Sequence, residues 1–229
     1  MRDALDSGAP IEEIFVSADS DVLATVSPPA DVPTTEVGPR VIKALSQSVT
    51  PQGVVAVAAL AETPLEVLAD ADLVLVLDGV ADPGNAGTLI RTAAAAGARA
   101  MVFTSGSVDP YSGKCVRAAA AAMFTLDLVV DVDFEDVART ARATGLTFLG
   151  LDPSGTPYFD VDLKSRCALV AGSEGWGIAP EHHAYLDGTV GIPMPGGIES
   201  LNVASATAIV LFEAVRQRLS SAGEEVEGD

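Results

Sequence analysis

The chain reads as an α/β protein built on a mostly parallel sheet covered on both faces, and three observations predict this. From Leu73 onward, strand-like runs alternate with helix-like stretches, the pattern of successive β–α units. Leu73-Val74-Leu75-Val76-Leu77 is apolar at every position, as a strand buried on both faces of a parallel sheet must be. Short segments rich in polar and glycine residues then follow the strand-like runs, where a parallel sheet presents its carboxyl ends to ligands.

Ahead of that sheet, residues 1–60 predict a smaller α/β unit. Ile11 to Val16 reads as a strand, Ala18 to Thr25 as a short helix and Ser27 to Pro33 as a proline-rich connection. Pro39 to Leu45 is helical, and the β-branched run Val54-Val55-Ala56-Val57 closes the unit. Residues 61–72, with Pro64 and an acidic stretch, predict a linker helix. Within residues 73–220, a turn through Asp82-Pro83-Gly84 leads into a helix from about Ala86 to Ala96, ended by Gly97. Ala100 to Phe103 is the next strand, and Lys114 to Ala122 is helical. A helix from Phe134 to Thr144, with Asp133 as its N-cap, precedes a strand over Thr147 to Gly150. Cys167 to Ala171 and Gly188 to Ile192 supply two more strands. The closing helix runs from about Asn202 to Leu219, and Leu201, Ala204, Ala208, Leu211 and Val215 form an apolar stripe for the core or a subunit partner. Residues 221–229, rich in glutamate, read as a disordered acidic tail.

Composition narrows the function classes. Of 229 residues 48% are hydrophobic, yet no apolar run approaches the roughly 18 residues of a membrane helix. Met1 to Asp6 lacks a basic region followed by an apolar segment, so a cytoplasmic protein is expected. Cys115 and Cys167 stand far apart without a Cys-x-x-Cys pair and are expected as buried reduced thiols. His182 and His183 are neighbours that point in different directions on a helix, and a solvent-facing pair is expected rather than a metal site. The formal charge of −19, from 32 acidic and 13 basic residues, argues by itself against a nucleic-acid partner. Between Pro83 and Ala120, however, Arg91, Arg99, Lys114 and Arg117 oppose only Asp109, a local charge of +3.

Three segments concentrate the chemistry. The first runs from Asn85 to Arg91, with the amide at a helix entrance and the guanidinium about a turn and a half inside. An Asn after Asp-Pro-Gly also serves as turn and cap chemistry, and an Arg on a helix is also a surface residue. In the second, Gly172-Ser173-Glu174-Gly175-Trp176-Gly177, glycines without Cβ atoms let backbone approach a flat ligand. An ordinary glycine turn competes with that reading, and Trp176 is expected as a core anchor rather than a ligand lid. The third joins Ile192-Pro193-Met194 to Ser200-Leu201-Asn202, where Ser200 or Asn202 also suits the N-cap of the last helix. A carboxylate, a guanidinium, an amide and a hydroxyl, all at strand ends, argue for an enzyme more strongly together than singly. Gly-x-Gly-x-x-Gly, Gly-x4-Gly-Lys-Ser/Thr and Gly-x-Ser-x-Gly are absent, which counts against dinucleotide oxidoreductases, P-loop enzymes and serine hydrolases.

Asn-x-Gly-x-x-x-Arg, then Gly-Ser-Glu-Gly-x-Gly, then Ile-Pro-Met-x5-Ser-Leu-Asn-Val-Ala, in this order over Leu73 to Arg218, resembles the SpoU (TrmH-type) group of SPOUT RNA methyltransferases. The resemblance implies transfer of a methyl group from S-adenosyl-L-methionine to a ribose 2'-hydroxyl of RNA, ribosomal RNA first and transfer RNA as the alternative. It implies an α/β trefoil-knot (SPOUT) domain over residues 73–220, an obligate homodimer, and no metal. It places cofactor contacts at Gly172, Ile192, Met194 and Leu201, and the catalytic constellation on Asn85, Arg91, Glu174, Ser200 and Asn202. Arg91 is then assigned to the 2'-hydroxyl and its phosphate, and Lys114 and Arg117 to neighbouring phosphates. Because arginine holds its proton tightly, the proton acceptor is either Arg91 or a substrate phosphate that it orients. Relatives with an N-terminal substrate domain carry another strand and helix before the segment matching Ala9 to Ser17. Residues 1–60 are therefore expected as a partial, L30e-like RNA-binding domain, either truncated or preceded by a misplaced start. The run Ala118 to Ala122 falls where relatives often carry Ser and Gly.

Overall fold

The computed structural model of the chain describes residues 2–46, 50–60 and 63–226, divided into two units, residues 1–61 and 62–229. The first contains α1 (Arg2–Asp6), β1 (Ile11–Ser17), α2 (Val22–Thr25), β2 (Thr34–Val37), α3 (Pro39–Leu45) and β3 (Val54–Ala58). Its sheet has the order β2-β1-β3, with β1 parallel to β2 and antiparallel to β3. Ile14 and Val16 of β1 and Ile42 of α3 are its buried apolar side chains. The sequence does not announce β2, because Thr34, Thr35 and Glu36 are exposed and carry no apolar alternation; pairing with β1 makes the strand. The helix expected from Ala18 is confined to Val22–Thr25. The Ala18 N–H donates to the Val37 carbonyl at the end of β2 at 3.0 Å, prolonging the pairing of β1, and the Ser20 N–H to the Ser17 carbonyl at 3.0 Å forms a turn that delays the helix.

The second unit opens with a 3-10 helix, Leu65–Asp70. It continues through β4 (Leu73–Asp78), α4 (Pro83–Ala95), β5 (Ala100–Thr104), α5 (Gly113–Ala119), β6 (Asp127–Val132) and α6 (Phe134–Ala143). Then come β7 (Thr147–Pro157), β8 (Cys167–Gly172), β9 (Gly188–Gly191) and α7 (Val203–Val226). The six strands pair in parallel in the order β6-β5-β4-β8-β7-β9. Strand β4 is buried throughout because its side chains divide between two cores. Leu73, Leu75 and Leu77 pack with Leu89 and Ile90 of α4, Cys115 of α5 and Leu211 of α7. Val74 and Val76 pack on the other face with Leu68 and with Val137 and Ala141 of α6. Cys115 and Cys167 are buried free thiols, and burial pushes both up to about 11. No helix among the described residues is long and apolar enough to cross a membrane.

Several expected boundaries move. The stretch 61–72, expected as a linker, contributes Leu68 and Ala71 to a buried core. Arg166 fastens it further, donating to the carbonyls of Ala69 at 2.6 Å and Ala71 at 2.9 Å. Helix α5 stops at Ala119 because Ala120 lies at φ 51°, ψ −141°, and a further 3-10 turn covers Ala120–Phe124. Strand β6 is not expected from the sequence, its apolar centre being framed by Asp127 and Asp131. Helix α7 continues to Val226, past residue 221 where a disordered tail is expected. Residues 227–229 of that expected tail lie outside the described residues.

Candidate active site

The site is built at the carboxyl ends of β4 and β8, where Asp78 and Gly172 are register partners. Past Gly172 the chain turns tightly. Ser173 and Gly177 exchange two backbone hydrogen bonds, each 2.9 Å. A Cβ at Gly172 would lie 2.1 Å from the Gly177 carbonyl carbon and 2.2 Å from the Ile178 nitrogen, so only glycine fits. Closure of this loop fixes the starting point of Glu174.

Opposite the loop, helix α4 begins three residues earlier than the sequence suggests. Asp82 is its N-cap, accepting from the Asn85 N–H at 2.8 Å, with Pro83 in the first turn. Asn85 is thereby freed from capping, and its side chain faces the loop. Its amide nitrogen donates to Glu174 Oε1 at 3.0 Å, while its oxygen accepts from Asn202 Nδ2 at 3.1 Å. Asn202 in turn caps α7, its oxygen accepting from the N–H groups of Ala204 at 2.9 Å and Ser205 at 3.3 Å. The three segments singled out in the sequence thus meet in one hydrogen-bonded row, Glu174–Asn85–Asn202. Because a carboxylate only accepts, the row fixes which end of each amide donates.

The charges are equally constrained. Burial acts to raise the Glu174 pKa, but hydrogen bonds from the Asn85 amide and the Ala81 and Asp82 N–H groups outweigh it and hold the carboxyl below the ordinary glutamate range. Asp82 is lowered by its hydrogen bond from Asn85 and by Lys114, which lies 3.1 Å from it. At neutral pH both are carboxylates that orient hydrogen bonds.

Beside the row lies a cavity of about 370 Å³. Gly172, Glu174, Ile192, Met194, Ser200, Leu201 and Asn202 all line it, with Leu151, Val190 and Val210 forming apolar wall. Asn85 reaches it through two of its lining residues. Arg91, Lys114 and Arg117 are exposed and lie outside the lining. Arg91 is six residues beyond Asn85 on α4, about 9 Å along the axis. Neither Arg91 nor Arg117 makes a hydrogen bond or ion pair with any described residue, whereas Lys114 is committed to Asp82.

Two sequence expectations are corrected here. Trp176 is no core anchor: it is 93% exposed and lines the cavity. Between Gly175 and Gly177, at the tip of a loop closed on itself, it has no core within reach. His182 is not solvent-facing; it sits in a 3-10 helix, Pro180–Tyr185. Its ring stacks on Phe134 with centroids 3.9 Å apart, and Nδ1 lies 2.8 Å from Asp78 Oδ2. His183 is exposed and lines the cavity. Sequence reasoning missed Asp78, a buried carboxylate that also accepts from the Ala179 N–H at 3.3 Å and the Thr104 hydroxyl at 3.4 Å. The available signal was an acid ending an otherwise apolar strand, since a buried carboxylate requires partners.

A parallel α/β unit whose three ordered motifs converge on a strand-end cavity defines a ligand-binding enzyme class, and comparison with known proteins makes it specific. The chain belongs to the SpoU rRNA Methylase family, whose model matches residues 72–212. A second model, RNA 2'-O ribose methyltransferase substrate binding, matches residues 2–64. Among curated relatives, the 23S rRNA (guanosine-2'-O-)-methyltransferase RlmB of Xanthomonas campestris is 40% identical over 166 residues, 70% of this chain and 67% of the relative. The 23S rRNA (guanosine(2553)-2'-O)-methyltransferase RlmP of Bacillus subtilis is 33% identical over 217 residues, 93% of this chain and 84% of the relative. Among solved structures, the SpoU methyltransferase AviRb from Streptomyces viridochromogenes, in complex with AdoMet, superposes with a TM-score of 0.82 at 29% identity, covering 95% of this chain and 87% of that one.

Proposed function

We propose that this chain is an S-adenosylmethionine-dependent methyltransferase that modifies ribose 2'-hydroxyls of ribosomal RNA. The observation that carries the reading is the Glu174–Asn85–Asn202 row at the edge of the cavity, which gives the three family motifs one physical purpose. The residues present suit the cofactor. Glycine at 172 leaves room for backbone to form the floor, apolar side chains on the wall would suit an adenine and a carbon skeleton, and the cavity volume lies in the range typical of small-molecule sites. Gly172, Ile192, Met194 and Leu201 would hold it. Bound there, S-adenosylmethionine supplies a methyl group already activated by its sulfonium, so the chemistry calls for no metal.

What remains for the protein is alignment and proton removal. Arg91, unpaired within the described residues, binds the 2'-hydroxyl and adjacent phosphate. Holding its own proton tightly, it orients a phosphate oxygen that takes the hydroxyl proton. Asn202 and Ser200 position the ribose, and ionised Glu174 keeps Asn85 turned toward Asn202. Arg117 engages a neighbouring phosphate; Lys114 does so only on leaving Asp82.

The reading extends to assembly. A trefoil-knotted chain is carried over from the resemblance of the three ordered motifs to the SPOUT group, and β7 and β9 pair closely enough that a Cβ on Gly155 would lie 2.7 Å from Thr189 backbone. A homodimer is supported by Ile209, Phe212 and Leu219, exposed apolar residues along α7. The unit 1–61 serves as an L30e-like RNA-binding domain, and the working compartment is the cytoplasm. The test is methyl transfer from labelled S-adenosylmethionine to 23S rRNA. Ribose-methylated nucleotide is expected from the native chain, and none from Arg91→Ala, with cofactor affinity retained by calorimetry. Cofactor binding without transfer to any RNA would instead identify a silent RNA-binding relative.

A further inference from the structure

Trp176 is the only tryptophan in the chain and the most exposed of its large apolar side chains among the described residues, ahead of Leu219 at 69%. A tryptophan held in water forgoes the largest burial gain any side chain offers, so its exposure needs a reason. Here it is imposed by three restraints. Ser173 and Gly177 close the loop behind it with two hydrogen bonds. Glu174 is tied to Ala81, Asp82 and Asn85. Gly172, without room for a Cβ, fixes the approach. The ring is therefore presented from a braced loop on the cavity that Ser200 and Asn202 also line.

We infer that Trp176 is the stacking platform for an unpaired RNA base, that of the nucleotide whose ribose enters the site; the inference rests on the proposed RNA methyl transfer. A ribose inside a helix cannot reach a methyl donor at a strand-end cavity, so the nucleotide must be splayed out. Once unstacked, its base needs a flat apolar partner. The charge of the chain makes such a partner more necessary: at −19 it gains little from phosphate attraction, and few cations near the motifs are unpaired. Stacking tolerates every base, because each has a flat π-face, which leaves the choice of target to other contacts.

Being the sole tryptophan, Trp176 reports on itself. Titrating the protein with a single-stranded RNA oligonucleotide is expected to quench its fluorescence, equally at low and high protein concentration, whereas S-adenosylhomocysteine alone leaves the emission unchanged. Trp176→Ala is expected to raise KM for 23S rRNA by about ten- to a hundredfold, the size of losing one base stack, with unchanged cofactor affinity and circular dichroism. Trp176→Phe recovers most of the loss. Quenching by S-adenosylhomocysteine, with weakened cofactor binding in Trp176→Ala, would make the ring a cofactor lid and overturn the inference. Emission that shifts with protein concentration in the absence of RNA would make it a subunit contact and overturn the inference equally. Methyl transfer without quenching sinks the stacking platform alone, whereas quenching by RNA without transfer sinks the enzyme reading and keeps the platform.

Discussion

The two ends of the segment Asn85 to Arg91 differ sharply. At its start Asn85 is held by Glu174 and Asn202, and Asp82 and Lys114 are paired beside it. Six residues later Arg91 touches no charged or hydrogen-bonding partner among the described residues. Preorganisation is concentrated beside the cavity; in the proposed function that is where the cofactor is aligned, and an acceptor already fixed costs nothing to reorganise during reaction. Under the proposed function, the unpaired Arg91 guanidinium is open to a phosphate, for which any internal ion pair would compete. Substitutions at the held end are therefore expected to disturb cofactor binding and stability together, and those at the free end RNA contacts alone.

The severest break of that contrast is Gly172→Ala. Its methyl group would lie within 2.4 Å of Gly177 and Ile178 backbone atoms, forcing the loop and Glu174 away. Because misplacement by about 1 Å can cost roughly 100-fold, methyl transfer is expected to fall by at least that factor. Calorimetry should show cofactor binding lost as well, unlike in Arg91→Ala. Retained affinity would mean that the loop tolerates displacement and that the held end is not held.

Next in size is His182→Ala. It leaves the buried Asp78 carboxylate with only the Ala179 N–H and the Thr104 hydroxyl and strips the stacked ring from Phe134. Losing one partner of a buried polar group costs about 1–3 kcal/mol, readable as a lowered urea midpoint. Cofactor affinity should weaken too, because Ile178 and His183, on either side of His182 in the chain, line the cavity.

How much of this was legible follows from where each signal resides. The parallel sheet was readable because β4 has to be apolar on both faces, and the motifs because polar groups at strand ends stand out against it. Strand β2 was not, since pairing rather than composition makes it a strand; in β6 the strand-favouring Leu128, Val129, Val130 and Val132 are masked by Asp127 and Asp131. The contact between Asp78 and His182 spans 104 residues of chain, and no local pattern announces it. Trp176 misled for a related reason: its hydrophobicity argued for burial, and only closure of the loop between Ser173 and Gly177 keeps it out.

On the side carrying the free cations, one local strain was within reach of the sequence. Ala120, directly after α5, sits at φ 51°, ψ −141°, backbone that suits glycine and penalises a Cβ. Ala120→Gly should relieve about 1 kcal/mol or more of strain and raise the melting temperature, without altering cofactor affinity, since α5 carries no residue of the cavity. An unchanged or lower melting temperature would mean that the gain in unfolded-chain entropy offsets the relief.

The smallest effect concerns the far part of α7, whose start is fixed at the site by Asn202. Glu213 pairs with Arg216 through two bonds of 2.7 and 2.8 Å and accepts from Gln217 at 2.9 Å; Gln217 reaches on to the Leu163 N–H at 2.9 Å and the Val161 carbonyl at 3.0 Å. The hydrogen bond from Arg216 leads in holding Glu213 down to about 2, against 4.5 for a free glutamate. A carboxyl whose pKa is depressed on folding stabilises the native state fully above its unfolded value and loses that contribution as pH falls through the folded one. Comparing native chain with Glu213→Gln by urea unfolding, the gap in midpoint should be constant from pH 7 to about 5 and close as pH drops from 4.5 toward 2. Should the gap persist undiminished at pH 2, packing of the side chain rather than its charge would account for the brace, and α7 would be held at both ends by uncharged contacts.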